Sequence, residues 1–150
     1  MFVKLPFKNG EQIPKDYTFD GKNVSPEILI EKIPKEAKSL VIIVDDPDAK
    51  RVCGFTWIHW VVFDIPIKSS SLTIKENSCP GIPGKNHYNV KDYKGPSPPK
   101  GSGIHHYYFK FYLLKDFLRL PEMSSLEEIE EKMRDLIIEK EEIFGLYERK

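Results

Sequence analysis

The sequence has no excess of charge of either sign and no long apolar run. Its 150 residues contain 23 Lys and Arg residues against 23 Asp and Glu residues. A balanced charge provides no overall field that attracts nucleic acid or an acidic membrane, which argues against both as partners. No stretch reaches the roughly 18 apolar residues of a transmembrane helix. The longest, Trp57 to Ile67, is interrupted by His59, Asp64 and Pro66.

Cysteine is scarce, and the first residues lack the apolar core of a signal peptide. Cys53 and Cys79 have a spacing that fits no metal-ligand motif. We therefore expect a cytoplasmic protein with two free thiols, no metal site and no cofactor. An intracellular disulfide is the alternative if the source is heat-adapted. The length predicts one domain over residues 1–150.

Short strand-like segments dominate the first three quarters of the chain. Ser39 to Val44 is a continuous apolar run with β-branched residues, typical of a strand buried on both faces. Trp57 to Ile65 and His105 to Leu114 are aromatic-rich and also predict strands. Weaker candidates are Phe2 to Phe7, Glu27 to Lys32 and Ser71 to Lys75. Because Pro and Gly recur about every ten residues, the pattern predicts a β-sandwich.

The last quarter has the pattern of an amphipathic helix. Ser125 and Glu128 form a capping-box signature. Apolar residues then recur at helical spacing, with Glu and Lys between them, and Gly145 is a suitable terminator. We expect a helix over about 125–144 that packs on the sandwich with its charged face in solvent. That face mixes Glu and Lys, which argues against a membrane anchor.

The segment from Pro80 to Gly103 contains five Gly and five Pro residues. Loops of this length without secondary structure are usually functional or disordered. His87, Tyr88 and Tyr93 lie within it, whereas disordered segments are poor in aromatic residues. We therefore predict an ordered, rigid loop that leads into His105.

Two of the predicted strands begin with a histidine on an apolar face. Trp57 and His59 are two residues apart, so in a strand they share one face with Val61 and Phe63. His105 shares a face with the aromatic residues at alternate positions after it in the same way. The alternative for each histidine is a hydrogen-bonded core residue.

A pair of carboxylates, Asp46 and Asp48, follows the buried strand, where a simple turn is the alternative. If the strands are neighbours, these side chains form one pocket with donors for an oxyanion and an aromatic wall. The residues predicted to converge are Asp46, Trp57, His59, Pro98, Pro99, His105 and Tyr107. Two histidines with a carboxylate also fit a metal site, which stays an alternative.

Three motifs in this order resemble the phosphatidylethanolamine-binding protein family, which includes Raf-kinase-inhibitor proteins and compact bacterial and archaeal relatives. They are DPDA at 46–49, WIHWVVFDIP at 57–66 and GPSPPKGSGIHHYYFKFYLL at 95–114. The resemblance implies a mostly β fold, an antiparallel Greek-key sandwich with peripheral helices, and a metal-free pocket at one end of the central sheet. By motif, the ligand-binding candidates are Asp46, Pro47, Asp48, Trp57, His59, Pro98, Pro99, His105 and Tyr107.

The sequence departs from the family pattern at two positions. Lys50 stands where Pro often follows DPDA, and we expect it to add a cation to the pocket rim. His106 stands where an Arg commonly follows the closing histidine, which weakens the expectation of an arginine anchor beneath the pocket.

We expect a non-catalytic, regulatory protein that binds a small anion such as phosphate or a phosphoethanolamine-like headgroup. The alternatives are an inhibitor or regulator of a partner enzyme, such as a protease or kinase, and a hydrolase using general acid–base chemistry. No GxSxG motif supports the hydrolase. A homodimer is one alternative for the assembly.

The charge of the pocket is expected to come from its histidines. Imidazolium ions donate from both ring nitrogens and titrate near ~6.5, so anion affinity is expected to rise as the pH falls. Asp46 repels an anion. It is therefore expected to orient a histidine, or to accept a bond from a ligand ammonium or a protonated phosphate oxygen.

Overall fold

The computed structural model describes all 150 residues and is mostly β, as predicted. The strands are β1 (Phe2–Lys4), β2 (Ile28–Glu31), β3 (Ser39–Asp46), β4 (Trp57–Pro66), β5 (Leu72–Ile74), β6 (Ile82–Pro83), β7 (His105–Leu114) and β8 (Ile137–Tyr147). The α-helices are α1 (Lys50–Cys53) and α2 (Leu126–Met133), and Lys15–Tyr17 and Pro47–Ala49 are 3-10 helices. No helix has the length and apolar character needed to cross a membrane.

The strands form two antiparallel sheets that share a hydrophobic core. The smaller sheet has the order β1-β2-β5 and the larger one the order β6-β4-β3-β7-β8. Val3 and Ile30 of the smaller sheet join Ile42, Val62 and Phe109 of the larger one in a single buried cluster. All eight residues of β3 are buried, which confirms the prediction of a strand covered on both faces.

β3 lies between β4 and β7 and pairs with both, so the strands that begin at Trp57 and His105 are close, as predicted. Since β4 and β7 run antiparallel to β3, the last residues of β3 and the first residues of the other two strands meet at one end of the sheet. β5 follows β4 in sequence but belongs to the other sheet. The Greek-key connectivity of the sandwich stays a prediction.

The predicted helix over 125–144 is correct only in its first half. The capping box of Ser125 and Glu128 is present, and α2 buries Ile129 and Met133 against the outer face of the larger sheet. The chain then turns and forms β8, in which Gly145 is a buried strand residue and not a helix terminator. Ten residue pairs join β8 to β7, and this long-range pairing overrides the helical preference of the Glu and Lys residues.

Candidate functional site

A cavity of about 230 Å³ opens at the end of the larger sheet where β3 ends and β4 and β7 begin. The structure brings together all seven residues that were expected to converge. The lining consists of Asp46, Ala49, Val52, Cys53, Trp57, His59, Tyr88, Ser97, Pro98, Pro99, His105 and Tyr107. Of the candidates taken from the DPDA motif, Pro47 and Asp48 do not line the cavity.

A β-bulge in β4 turns His59 toward the cavity. Asp45 pairs with Ile58 and Val44 pairs with Trp60, so His59 is an extra residue on β4. Bulges of this kind re-aim side chains and are common next to functional sites.

The bulge also shifts the register of the following residues, and the prediction that Val61 and Phe63 share a face with His59 is wrong. Both belong to the cluster beneath α2, on the other side of the sheet. Trp60 and Val62 take their place in the core between the sheets.

His105 is held at both ring nitrogens by the protein. Its Nδ1 lies 2.6 Å from Oδ2 of Asp46, and its Nε2 lies 3.0 Å from Oγ of Ser102. The Ser102 hydroxyl donates its proton to the carbonyl oxygen of Pro99 at 2.7 Å, which leaves Oγ as an acceptor. Neither ring nitrogen is therefore free to bind a ligand, and the bond from Nδ1 to a carboxylate is of the strong, charge-assisted kind. Asp46 is therefore engaged by His105 at one oxygen, and at the other it accepts from the backbone N–H of Ala49.

His59 cannot provide the positive charge that was expected of it. Its Nδ1 lies 2.6 Å from the carbonyl oxygen of Lys94, so Nδ1 carries the proton and Nε2 of the neutral ring is an acceptor. Burial lowers the pKa of His59 to about 4, although the Lys94 carbonyl opposes the shift. The expected titration near ~6.5 is wrong for this residue, and His59 is neutral at physiological pH.

Two buried donors in the cavity, Trp57 Nε1 and the Tyr107 hydroxyl, make no hydrogen bond of good geometry. At longer range Trp57 faces the Tyr88 hydroxyl and Tyr107 faces the Asp46 carboxylate. Tyr107 has no exposed surface, and its ring lies against both His59 and His105. Burial, followed by the charge of Asp46, raises the pKa of Tyr107, so the hydroxyl keeps its proton. Leaving a buried donor unpaired costs about 1–3 kcal/mol. These two groups are the unused donors of the site.

The aromatic wall is organised by the loop before β7. Tyr88 packs edge-on against Trp57 and close to His59, with ring centroids 5.6 and 5.8 Å away. The buried side chain of Asn86 donates to the carbonyls of His59 and Asp92 and accepts from the backbone N–H of Tyr88. The loop is thus ordered by hydrogen bonds to β4.

The rim beside the cavity is fastened by Arg51 in α1. Its guanidinium lies 3.1 Å from Asp48 Oδ1 and donates to the carbonyls of Ser102 and Ile104, just before β7. Asp48 Oδ2 accepts from the backbone N–H and ring Nδ1 of His106. Burial opposes the effect, but the bonds from His106 and the Arg51 charge lower the pKa of Asp48. Arg51 therefore fastens the rim, while His106, at the position where the family commonly has an Arg, binds Asp48.

Lys50 does not add the expected cation to the pocket: it is exposed and is not part of the lining. Five lining residues were not predicted: Ala49, Val52, Cys53, Ser97 and Tyr88. Ala49 is the last residue of DPDA, and Val52 and Cys53 follow it in α1. Tyr88 was noticed only as an aromatic residue of the loop. No group of three or more His, Cys, Asp or Glu side chains is placed to hold a metal ion.

A model of the family described as "Phosphatidylethanolamine-binding protein" matches residues 4–148. The chain belongs to this family. A UPF0098 protein of Aquifex aeolicus is 44% identical over 95% of this chain and 85% of the relative. A UPF0098 protein of Pyrococcus abyssi is also 44% identical, over 99% of this chain and 85% of its own length.

Two solved structures of the family are similar throughout. A homologue from Chlamydia trachomatis, CT736, has a TM-score of 0.87 at 35% identity. The Escherichia coli protein YbcL has a TM-score of 0.86 at 29% identity. Each comparison covers 99% of this chain and 98% of the other.

Proposed function

We propose that this protein binds a small molecule through a phosphate-type oxyanion group in the cavity at the ends of β3, β4 and β7. The observation that carries the proposal is the pair of unpartnered donors, Trp57 Nε1 and Tyr107 O–H, which line the same cavity. A small movement of the two rings exposes these atoms to the cavity, where a phosphoryl oxygen can accept from both and remove the cost of leaving them unpaired. The cavity of about 230 Å³ suits a small headgroup.

The name of the matching family gives the chemistry a second line of support. A phosphatidylethanolamine headgroup carries a phosphoryl group and an ammonium group. The donors suit the former, and the Asp46 carboxylate with the Trp57, Tyr88 and Tyr107 rings suits the latter. We therefore take phosphoethanolamine-like molecules as the ligand class.

Binding without turnover is part of the proposal. Ser102, His105 and Asp46 form a chain of contacts that resembles a hydrolase triad, but the Ser102 hydroxyl donates to Pro99 and does not line the cavity. A nucleophile needs its proton directed at the base. Assays with p-nitrophenyl phosphate and p-nitrophenyl acetate should give no turnover that depends on Ser102, as judged against Ser102→Ala.

Titration calorimetry with methyl phosphate and with O-phosphoethanolamine tests the binding itself. The expected result is saturable binding of one molecule per chain, with competition between the two ligands. Absence of saturable binding of either ligand at millimolar concentration overturns the proposal.

A further inference from the structure

The cavity contains acceptors as well as donors, and it has no cation of its own to balance an anion. Neither lysine nor arginine is among its lining residues. His59 is neutral, and His105 is paired with Asp46. Two guanidinium groups lie near the cavity, and both are bound to carboxylates, Arg51 to Asp48 and Arg149 to Asp20. An oxyanion in this cavity therefore meets hydrogen-bonding groups and no free positive charge.

We propose that the cavity selects an oxyanion that carries its own proton, such as a hydrogen phosphate monoester, over a fully deprotonated oxyanion of the same shape and charge, such as a sulfate ester. This inference rests on the proposed oxyanion binding and adds to it the protonation state that the ligand must have.

The two acceptors of the cavity carry the inference. Asp46 accepts one hydrogen bond at each oxygen, from Ala49 N–H and from His105, and each carboxylate oxygen can accept a second. His59 Nε2 holds a lone pair, because Nδ1 is the protonated nitrogen. A P–O–H group can donate to either acceptor while its other oxygens accept from Trp57 and Tyr107. A sulfate ester has no proton to donate, so its oxygens face lone pairs in a buried site.

The expected size of the preference follows from the cost of leaving buried acceptors without a donor. That cost corresponds to about tenfold to a hundredfold in affinity. A comparison of methyl phosphate with methyl sulfate isolates the effect of the ligand proton. At pH of about 5 both are tetrahedral monoanions, and only the phosphate ester keeps a proton. Methyl phosphate should bind about tenfold or more tightly than methyl sulfate. Its advantage should decline above pH ~6, where it loses its second proton.

Methyl sulfate serves as the control for titration of the protein, because the ester itself does not titrate in this pH range. The groups that face Asp46 and His59 are Cys53 from α1, Tyr88 from the loop, and His105 and Tyr107 from β7. Beyond them lie Asp48, Arg51, His87 and Arg149. A change in any of these alters the affinity for both esters, whereas loss of the ligand proton alters only the affinity for methyl phosphate.

The decisive variant is Asp46→Asn, compared with Asp45→Asn. Asp45 is the adjacent buried carboxylate, outside the cavity lining, and contacts Lys110 at 2.8 Å. Asp46→Asn removes the repulsion and supplies a donor, so methyl sulfate should gain affinity and the preference should shrink. Asp45→Asn should keep the wild-type preference, with folding of both variants checked by circular dichroism. If Asp46→Asn fails to fold, the affinities of the wild-type protein for the two esters still test whether the cavity prefers the protonated oxyanion.

The outcomes distinguish this inference from the proposed function. Binding of neither ester overturns oxyanion binding altogether. Saturable binding in which methyl sulfate equals or exceeds methyl phosphate at pH of about 5 leaves the binding function intact and overturns the selection for a proton. An unchanged preference in a folded Asp46→Asn variant removes the role assigned to Asp46.

Discussion

His87 and the backbone of Ile58 form a reciprocal pair of hydrogen bonds, one through the His87 side chain and one through its backbone N–H. The N–H of Ile58 donates to Nδ1 of His87 at 2.8 Å, and the N–H of His87 donates to the carbonyl of Ile58 at 3.0 Å. The imidazole also packs on Trp57 and Phe55, with ring centroids 5.0 Å away in both cases. His87 thereby joins the loop to the strand that carries the aromatic wall of the cavity.

This pair predicts a pH-dependent stability, because Nδ1 accepts a hydrogen bond only when it is unprotonated. Burial lowers the pKa of His87, with Glu127 opposing the shift and Lys85 adding to it. A lowered pKa means that the contribution to stability is complete above the unfolded value of ~6.5 and is lost as the pH falls through the folded value. Urea unfolding at pH of about 7.5 and about 5 should show a loss of about 0.5–1.5 kcal/mol from this bond.

His87→Gln separates this bond from other titrations, since a Gln oxygen can accept from Ile58 and does not titrate. His59 has a lowered pKa of about 4 and contributes to the decline in the same direction. The Gln variant should therefore lose less stability between the two pH values than the wild type, and His87→Ala should be weaker at both. An equally steep decline in the Gln variant would show that His87 is not responsible.

The unpartnered donors predict that Trp57→Phe and Tyr107→Phe weaken binding of methyl phosphate. Each change keeps an aromatic ring and deletes one donor to a charged ligand, which corresponds to about tenfold to a hundredfold in affinity. Tyr108→Phe is the control, because Tyr108 lies on the opposite face of β7 and does not line the cavity. Calorimetry in which all three variants bind alike would exclude these donors from the site.

Much of the fold was predictable because its signals are local. The aromatic runs that became β4 and β7 and the capping box of Ser125 each depend on residues close in sequence. The predicted alternation in β7 also held, with Tyr107 and Phe109 in the core between the sheets. The convergence of the cavity residues was predictable because antiparallel pairing brings the end of β3 and the beginnings of β4 and β7 to one end of the sheet.

The failures have a physical cause in common, which is pairing between distant residues. The bulge at His59 arises from the register between β3 and β4, which no local pattern encodes. β8 is a half-exposed edge strand whose Glu and Lys residues favour a helix until β7 pairs with it. The neutral state of His59 likewise depends on burial and on the carbonyl of Lys94, from a remote loop.

The strand position of Gly145 predicts that Gly145→Ala destabilises the fold. A Cβ added there would lie 2.4 Å from Ile13 Cγ1 and 2.8 Å from a ring atom of Phe7. Overpacking of this kind costs about 1–3 kcal/mol. Glu141→Ala, at an exposed position of the same strand, should stay within about 0.5 kcal/mol. Equal urea midpoints for the two variants would contradict this packing.

The two cysteines report on occupancy of the cavity because both are exposed and only Cys53 lines it. Iodoacetamide should alkylate both thiols of the free protein. Saturating methyl phosphate should slow the reaction at Cys53 severalfold and leave the rate at Cys79 unchanged, as measured by mass spectrometry of the peptides. Replacement of both thiols by Ser should keep the affinity within about threefold, because the change is small in volume and deletes neither of the proposed donors.

Chemical modification of the two cysteines also tests the position of the ligand, because a group attached at Cys53 blocks the cavity. A mixed disulfide with a bulky thiol at Cys53 places a large group in a cavity of about 230 Å³ and should abolish binding of methyl phosphate. The same group at Cys79, attached in a Cys53→Ser background, should leave binding intact. Equal protection of both thiols by the ligand, or unimpaired binding after modification of Cys53, would place the ligand elsewhere on the protein.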